Sequence, residues 1–224
     1  VGIESRRTVL PLDYLRKTKN ADPRETDKVR LYTDAQMGGN AARMALERAG
    51  LKADDIGMVI SGSSLPQYLT PCEASTVACD LGIDVPCFDI NSACGTYGVQ
   101  MRYLDSVRPE KLPPYVLVTN VEAATTTIDY SDRRTAVLFG DCATASILST
   151  TIPSNKVFSD CDMASKPTLW DKAVVPRWGY FHQDGNAVQG FAIRKTTDGL
   201  RNMLALIPDA DMNRVFFIGH QANL

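Results

Sequence analysis

Short apolar runs of strand length alternate with longer amphipathic segments through the middle of this chain, and this alternation predicts an α/β fold. The expected strands are residues 56–61, a run that carries Phe88 and Ile90, and the β-branched run 115–121. The expected helices are residues 34–49, residues 72–81, and a segment with apolar residues at three- and four-residue spacing: Tyr97, Met101, Leu104 and Val107.

Capping residues indicate where the first two helices begin and end. Thr33 or Asp34 suits the N-cap of the first helix, while Gly50 and Gly82 suit the left-handed position that ends a helix. We expect the first of these to be a surface helix that carries Met37, Ala41, Ala45 and Ala49 on one stripe.

The two ends of the chain carry weaker patterns. Residues 1–33 are polar and irregular, which favours loops and short turns around a substrate entrance or an interface. Towards the other end we expect further strands at residues 135–139 and 143–148, at 191–194, and at 215–218, where a buried strand would end next to His220.

Composition limits the functional classes. The 224 residues carry a formal net charge of −2 and no dense run of Lys and Arg, which argues against a nucleic-acid-binding protein. A hydrophobic content of 44% can build a core, but no apolar run is long enough to span a bilayer and the N-terminus lacks a secretory pattern. We therefore expect a cytoplasmic protein with reduced cysteines and, since metal-ligand spacings are lacking, no metal site.

Cys94 is the strongest candidate for chemistry. It lies where the apolar run 88–90 turns through Asn91-Ser92-Ala93 into a helical pattern, which is how a nucleophile is presented. The free N–H groups and the dipole at a helix start favour thiolate over thiol, so we expect a lowered pKa at Cys94. A buried structural cysteine is the alternative that the residue type alone would favour.

His220 is the candidate partner of Cys94, because an imidazole can orient or deprotonate a thiol or stabilise an oxyanion. The two residues could meet only through the fold. With two histidines and six cysteines available, the pairing alone is weak evidence, and the flanking residues decide its interpretation.

Those flanking residues resemble the 3-oxoacyl-acyl carrier protein synthase type III family of the thiolase superfamily. The similarity lies in four segments, which occur in the family's order: Val1-Gly2-Ile3 with Arg6-Arg7, Asp89-Ile90 through Cys94, Asp132-Arg133 through Gly140-Asp141, and His220-Gln221-Ala222-Asn223. The resemblance implies a layered αβαβα thiolase fold of two similar halves, usually assembled as a homodimer. Residues 1–150 would form the N-terminal half, and residues 151–224 would begin the C-terminal half. It also places family segments before Val1 and after Leu224, so we expect the fold to be incomplete at both ends.

The resemblance further implies an acyltransferase. Cys94 would accept an acyl group from acyl-CoA, and His220 would assist a decarboxylative Claisen condensation with a malonyl group on an acyl carrier protein; acyl-CoA is a substrate, and no separate cofactor is implied. Arg133 would stack on the coenzyme A adenine, although a surface ion pair is an equal alternative. Thr70, Tyr97 and Asn223 would also contact the substrate. Thr70 stands where many members carry an aromatic residue at the acyl pocket, and Tyr97 replaces the usual phenylalanine after the nucleophile. Asn223 is not the catalytic asparagine of the family, which comes from a later loop.

Two other functions remain open on the sequence. The same cysteine could pass its acyl group to an alcohol or amine without decarboxylation, as some relatives do. Alternatively, the chain could be a non-catalytic partner subunit, because the asparagine loop is absent and Gly140-Asp141-Cys142-Ala143-Thr144-Ala145 departs from the family's Gly-Asp-Gly-Ala-Gly-Ala. We interpret that altered motif as a structural turn.

Overall fold

A computed structural model describes residues 4–155, 158, 160–207 and 211–220. The helices are α1 (Leu12–Thr18), α2 (Thr26–Val29), α3 (Asp34–Ala49), α4 (Glu73–Leu81), α5 (Thr96–Ser106) and α6 (Gly185–Ala205). The strands are β1 (Met58–Ser61), β2 (Cys87–Asp89), β3 (Tyr115–Glu122), β4 (Cys142–Ser149), β5 (Ala173–Val174) and β6 (His182–Gln183).

Four of these strands form one sheet in the order β2-β1-β3-β4. Strands β2, β1 and β3 run parallel, while β4 is antiparallel to β3. Strand β2 is thus an edge of this sheet. The short strands β5 and β6 pair with each other in a separate ribbon.

Helices cover both faces of the four-stranded sheet. On one face, α3 and α4 bury Ala42, Leu46 and Ala74 against β1 and β3. On the other face, α5 buries Met101 and Leu104 against the same two strands. Side chains alternate between faces along a strand, so neighbouring residues of β3 contribute to opposite layers.

The predicted ends of α3 are confirmed. Thr33 forms a capping box with Gln36, and Gly50 ends the helix at φ 67°. The buried residues of α3 lie outside the stripe that the sequence singled out; they are Asp34, Gly38, Gly39, Ala42 and Leu46. The reason is close packing on α4: a Cβ at Gly38 would lie 2.5 Å from a methyl carbon of Val77.

Gly140-Asp141 has the structural role that the sequence predicted, but the expected hairpin turn is wrong, because residues 135–139 form no strand and the Asp141 N–H bonds to the Arg7 carbonyl. The Asp141 carboxylate is buried and accepts hydrogen bonds from the backbone N–H of Val9 and from both the N–H and the hydroxyl of Thr125. Asp141 thereby ties the N-terminal segment to the residues that follow β3.

Several expectations outside this core are wrong. Residues 135–139 form turns, since the carbonyl of Asp132 accepts the N–H groups of Thr135 and Ala136, and β4 pairs with β3 instead. Residues 191–194 lie within α6, which Asp184 caps. The first 33 residues include the short helices α1 and α2.

The segment 215–218 is irregular and exposed instead of forming a buried strand; Phe216 is 87% exposed. The described residues offer no second sheet beside it that could pair with its backbone and cover its side chains. No described residue after Asp141 is buried. The proposed division near residue 150 stays a prediction.

Among the residues that the structure describes, no helix combines the length and the apolar composition needed to cross a membrane. All six cysteines are free thiols.

Candidate active site

The loop between β2 and α5 presents Cys94. Strand β2 ends at Asp89, and a single turn of 3-10 helix, Ala93–Gly95, leads directly into α5. Ala93 has φ 47°, a left-handed conformation that disfavours residues with a Cβ. Strain of this kind persists only where the surroundings enforce it, and here it lies immediately before an exposed cysteine.

Two side chains enforce that loop conformation. The buried Thr96 hydroxyl accepts the Ser92 N–H at 2.8 Å and donates to the Ala93 carbonyl at 2.7 Å. The Asn91 side-chain oxygen accepts the Ala93 N–H at 2.9 Å. The backbone on both sides of the strained residue is therefore fixed, and with it the direction of the Cys94 side chain.

Gly62, just after β1, lets this loop approach closely. A Cβ added at Gly62 would overlap with the Thr96 methyl and the Ile90 carbonyl oxygen, and would lie 2.9 Å from Nε2 of Gln100. Only a residue without a side chain fits here. The loop after β1 therefore packs directly against the loop that carries Cys94 (residues 90–95).

The electrostatic environment of Cys94 differs from the sequence prediction. Although the residue is exposed, surrounding protein partly desolvates the sulfur and raises the pKa of the thiol, and the nearby carboxylate of Glu122 raises it further. The N–H of Cys94, directed at its own sulfur, lowers the pKa by less. The expected lowering is thus wrong for this structure, because burial and a like charge outweigh the helix start.

Glu122 is the last residue of β3 and lies opposite Cys142 of β4. Its Oε1 accepts the backbone N–H of Ser64 at 2.7 Å. Burial raises the pKa of Glu122, and the Asp34 carboxylate adds to that shift. Glu122 therefore joins the end of β3 to the loop after β1, beside the nucleophile.

A buried acid lies at the start of α4, beneath the same loop. Glu73 is 4% exposed, and desolvation raises its pKa to about 8. Its Oε2 accepts the Ser61 hydroxyl at 2.8 Å, whereas its Oε1 has no hydrogen-bond partner among the described residues. The Asp89 carboxylate accepts the N–H groups of Glu73 and Ala74, which couples the start of α4 to the strand that leads to Cys94.

Two predicted pocket residues lie near these loops. Tyr97 is 48% exposed, one turn along α5 from the nucleophile, and its hydroxyl accepts a hydrogen bond from Ser146 at 3.4 Å. Thr70 is exposed at the end of the loop that follows β1, before Pro71. Both positions stay predictions as substrate contacts.

Arg133 is exposed and has no ion-pair partner among the described residues. The neighbouring Asp132 pairs with Arg134 at 2.8 Å, so the surface ion pair considered for Arg133 belongs to the next residue. The Arg133 guanidinium is thus available to a ligand.

The structure does not bring His220 to Cys94. His220 is exposed in the irregular segment after α6, and no hydrogen bond or ion pair among the described residues links it to the nucleophile. Asn223 lies outside the described residues. The catalytic pairing of Cys94 with His220 stays a prediction.

Comparison with known proteins shows what the chain is similar to. Residues 88–167, which include the loop that carries Cys94, match the family model described as 3-Oxoacyl-[acyl-carrier-protein (ACP)] synthase III. Beta-ketoacyl-[acyl-carrier-protein] synthase III of a Sulfurovum species is 30% identical over 209 residues, covering 86% of this chain and 61% of the relative. The Coxiella burnetii protein of the same name is 30% identical over 199 residues, covering 84% and 61%. The resemblance expected from the sequence is thereby confirmed: this is a protein like 3-oxoacyl-acyl carrier protein synthase III.

The fold agrees with that of solved synthase III structures. The Aquifex aeolicus 3-oxoacyl-[acyl-carrier-protein] synthase III superimposes with a TM-score of 0.70 at 28% identity, over 79% of this chain and 57% of that one. The thiolase-type fold expected from the sequence is thereby confirmed. The chain spans about 61% of the length of the curated synthase III relatives that it matches.

The sequence pointed to Cys94 but not to Glu122, Gly62 and Thr96, which the structure places around it. One signal was present for Glu122: it is the acidic residue directly after the apolar run 115–121, at the carboxyl end of a parallel strand, where α/β folds place functional groups. Gly62 and Thr96 gave no such signal, because their importance depends on the contact between two loops.

Proposed function

We propose that the protein is an acyltransferase that forms an acyl thioester on Cys94 and condenses it with a malonyl group carried on an acyl carrier protein. The observation that carries the proposal is the exposed Cys94 thiol, held by a strained turn between β2 and α5 in a chain that resembles synthase III. A structural cysteine would need neither the exposure nor the enforced turn.

In the first step, the Cys94 sulfur attacks the thioester carbonyl of acyl-CoA. The bond from the carbonyl carbon to the coenzyme A sulfur breaks, and the proton from Cys94 leaves with coenzyme A as its free thiol. Because the pKa of Cys94 is raised, this step needs a base to receive the proton or a pH high enough to form thiolate.

In the second step, the malonyl thioester loses carbon dioxide and its enolate carbon attacks the acyl group on Cys94. The Cys94 sulfur leaves and regains a proton, and the product is a 3-oxoacyl thioester on the carrier. We assign His220 to stabilisation of the enolate oxygen, a role that requires the segment 215–220 to approach Cys94. Donors placed where charge develops are often the largest catalytic contribution.

The proposed partners follow from this chemistry. Acyl-CoA is a substrate, with Arg133 available for the adenine, and the reaction needs no separate cofactor. We propose a cytoplasmic homodimer. Its support is the open edge of β2, where backbone groups on one side pair with no described strand and could pair with a second copy.

The test uses the protein expressed from its full reading frame. Incubation with acyl-CoA should add the mass of one acyl group to the Cys94 peptide. Cys94→Ser should abolish the label, and Cys142→Ser, which changes a neighbouring exposed thiol, should retain it. Absence of any acyl label on Cys94 would refute the proposal and favour a non-catalytic partner subunit.

Product analysis separates the two enzymatic reactions. Condensation predicts carbon dioxide and a 3-oxoacyl product only when malonyl-carrier protein is present. An ester or amide formed from an added alcohol or amine, with no 3-oxoacyl product, would replace condensation by simple acyl transfer.

A further inference from the structure

Glu122 occupies a position that the proposed reaction steps do not use. It ends β3 on the sheet face that α5 covers, since Val116 and Val118 point to α5 and residues two apart share a face. Cys142 lies directly opposite on β4, and the Cys94 loop lies between β2 and α5 on the same side. Both thiols experience the Glu122 charge, which contributes to the raised pKa of each.

We propose that Glu122 is a positioning residue for the nucleophile, which fixes the loop after β1 against the Cys94 loop and places a carboxylate beside the Cys94 sulfur. The importance of this role for catalysis rests on the proposed function, whereas the experiment below measures thiol reactivity and does not depend on it.

The first part of this role is mechanical. The 2.7 Å hydrogen bond from the Ser64 N–H to Glu122 holds the loop that begins at Gly62. That loop contacts Thr96 and Ile90 so closely that no side chain fits at Gly62. A shift of residues 62–64 would therefore displace the residues that set the direction of the Cys94 side chain.

The second part is electrostatic. Four ionisable groups from four elements interact electrostatically with Glu122: Cys94 from the loop before α5, Cys142 from β4, Asp34 from α3 and Glu73 from α4. All are neutral or negative, so an ionised Glu122 opposes a negative charge on Cys94. An acyl thioester on Cys94 carries no charge and is not opposed. The carboxylate thus favours the acylated and the protonated forms of Cys94 over the free thiolate.

The test measures the reactivity of the thiol without any acyl donor. Iodoacetamide alkylates thiolates, so the alkylation rate of Cys94 as a function of pH, followed by peptide mass spectrometry, reports its ionisation. Glu122→Gln removes the charge but keeps an oxygen that can accept the Ser64 N–H. We expect the Cys94 and Cys142 profiles to move to lower pH, with several-fold faster alkylation of Cys94 at neutral pH.

Two controls isolate the effect. Cys87 is an internal control, because its pKa responds to burial, Cys72 and Asp89 and not to Glu122. Glu110→Gln is a matched control variant, since Glu110 precedes β3 at the opposite end of that strand. Neither the Cys87 profile in Glu122→Gln nor the Cys94 profile in Glu110→Gln should move.

Glu122→Ala also removes the charge, and either variant that retains the native circular dichroism decides the question. A Cys94 profile that coincides with that of the unchanged protein, or a shift shared equally by Cys87, would overturn the inference. A shifted profile in a protein that takes no acyl group from acyl-CoA would uphold the role of Glu122 and refute the proposed function.

Discussion

Glu73 should make the stability of the protein depend on pH in a way that one substitution removes. Its carboxyl group is 4% exposed, with one oxygen bonded to Ser61 and the other without a partner among the described residues. Desolvation raises its pKa from the ordinary 4.5 to about 8. The folded protein therefore keeps a proton on Glu73 that the unfolded chain releases.

The sign follows from proton counting. Between pH 4.5 and about 8 the folded state binds more protons at this position than the unfolded state, so the free energy of unfolding decreases as the pH rises. The stability that protonated Glu73 contributes is fully present below its ordinary pKa of 4.5. It is lost as the pH rises through the pKa of about 8 in the folded protein. The interval between the two values corresponds to roughly 5 kcal/mol, a large part of the stability of a typical domain.

Glu73→Gln keeps an oxygen that accepts the Ser61 hydroxyl but cannot ionise. Urea unfolding followed by circular dichroism, at pH values across the same interval, should show the variant gaining stability relative to the unchanged protein as the pH rises. Glu47→Gln, at an exposed position of α3, is the matched control variant. A difference in stability between Glu73→Gln and the unchanged protein that stays constant with pH would refute the reasoning, since it would mean that Glu73 ionises alike in both states.

Substitutions at three further positions, Gly62, Thr96 and Asp141, test the loop that carries Cys94 and the hydrogen bonds of Asp141. Gly62→Ala should lower the free energy of unfolding by about 1–3 kcal/mol and slow alkylation of Cys94, because the added methyl overlaps with Thr96 and Ile90. Gly98→Ala is its control: the added methyl meets nothing within 4 Å and should stabilise α5 by up to about 1 kcal/mol. Thr96→Val should cost about 1–3 kcal/mol, since the Ser92 N–H loses its acceptor and the Ala93 carbonyl keeps only the backbone N–H of residue 96. Thr96→Ser should restore most of this loss, and equal urea midpoints for the two variants would contradict this account. Asp141→Asn should cost about 1–3 kcal/mol because an amide cannot accept all three hydrogen bonds, and an unchanged urea midpoint would show that the fold does not depend on them.

Local pattern was sufficient for the part of the fold where each element carries its own signals. Helix α3 has its capping box and terminal glycine, and β3 has its β-branched run, so both were predicted. The buried stripe of α3 was not, because Gly38 is selected by the approach of α4, which no pattern within α3 reveals.

The wrong strands have a different cause. Residues 135–139 are apolar enough for a strand, but hydrogen bonds to the Asp132 carbonyl form turns there, and β4 finds its partner in β3. Residues 215–218 have a strand-like composition, yet a strand needs a neighbour, and the described residues supply none. Of the candidate site, Cys94 could be predicted because strand, small residues and helix are adjacent in sequence. Its raised pKa could not, since the burial of the sulfur and the nearby Glu122 carboxylate both result from tertiary packing.

The edge position of β2 links dimer formation to the position of the Cys94 sulfur. The strand is three residues long and pairs with β1 on one side, and no strand in the described part of the chain pairs with its other side. The chain then continues directly into the turn that sets the direction of the Cys94 side chain. A strand of a second copy paired with the free side of β2 would hold β2 by hydrogen bonds on both sides. Dissociation of the two copies would make β2 and the adjacent Cys94 loop more mobile. Turnover per polypeptide would then rise with total protein concentration and level off once association is complete.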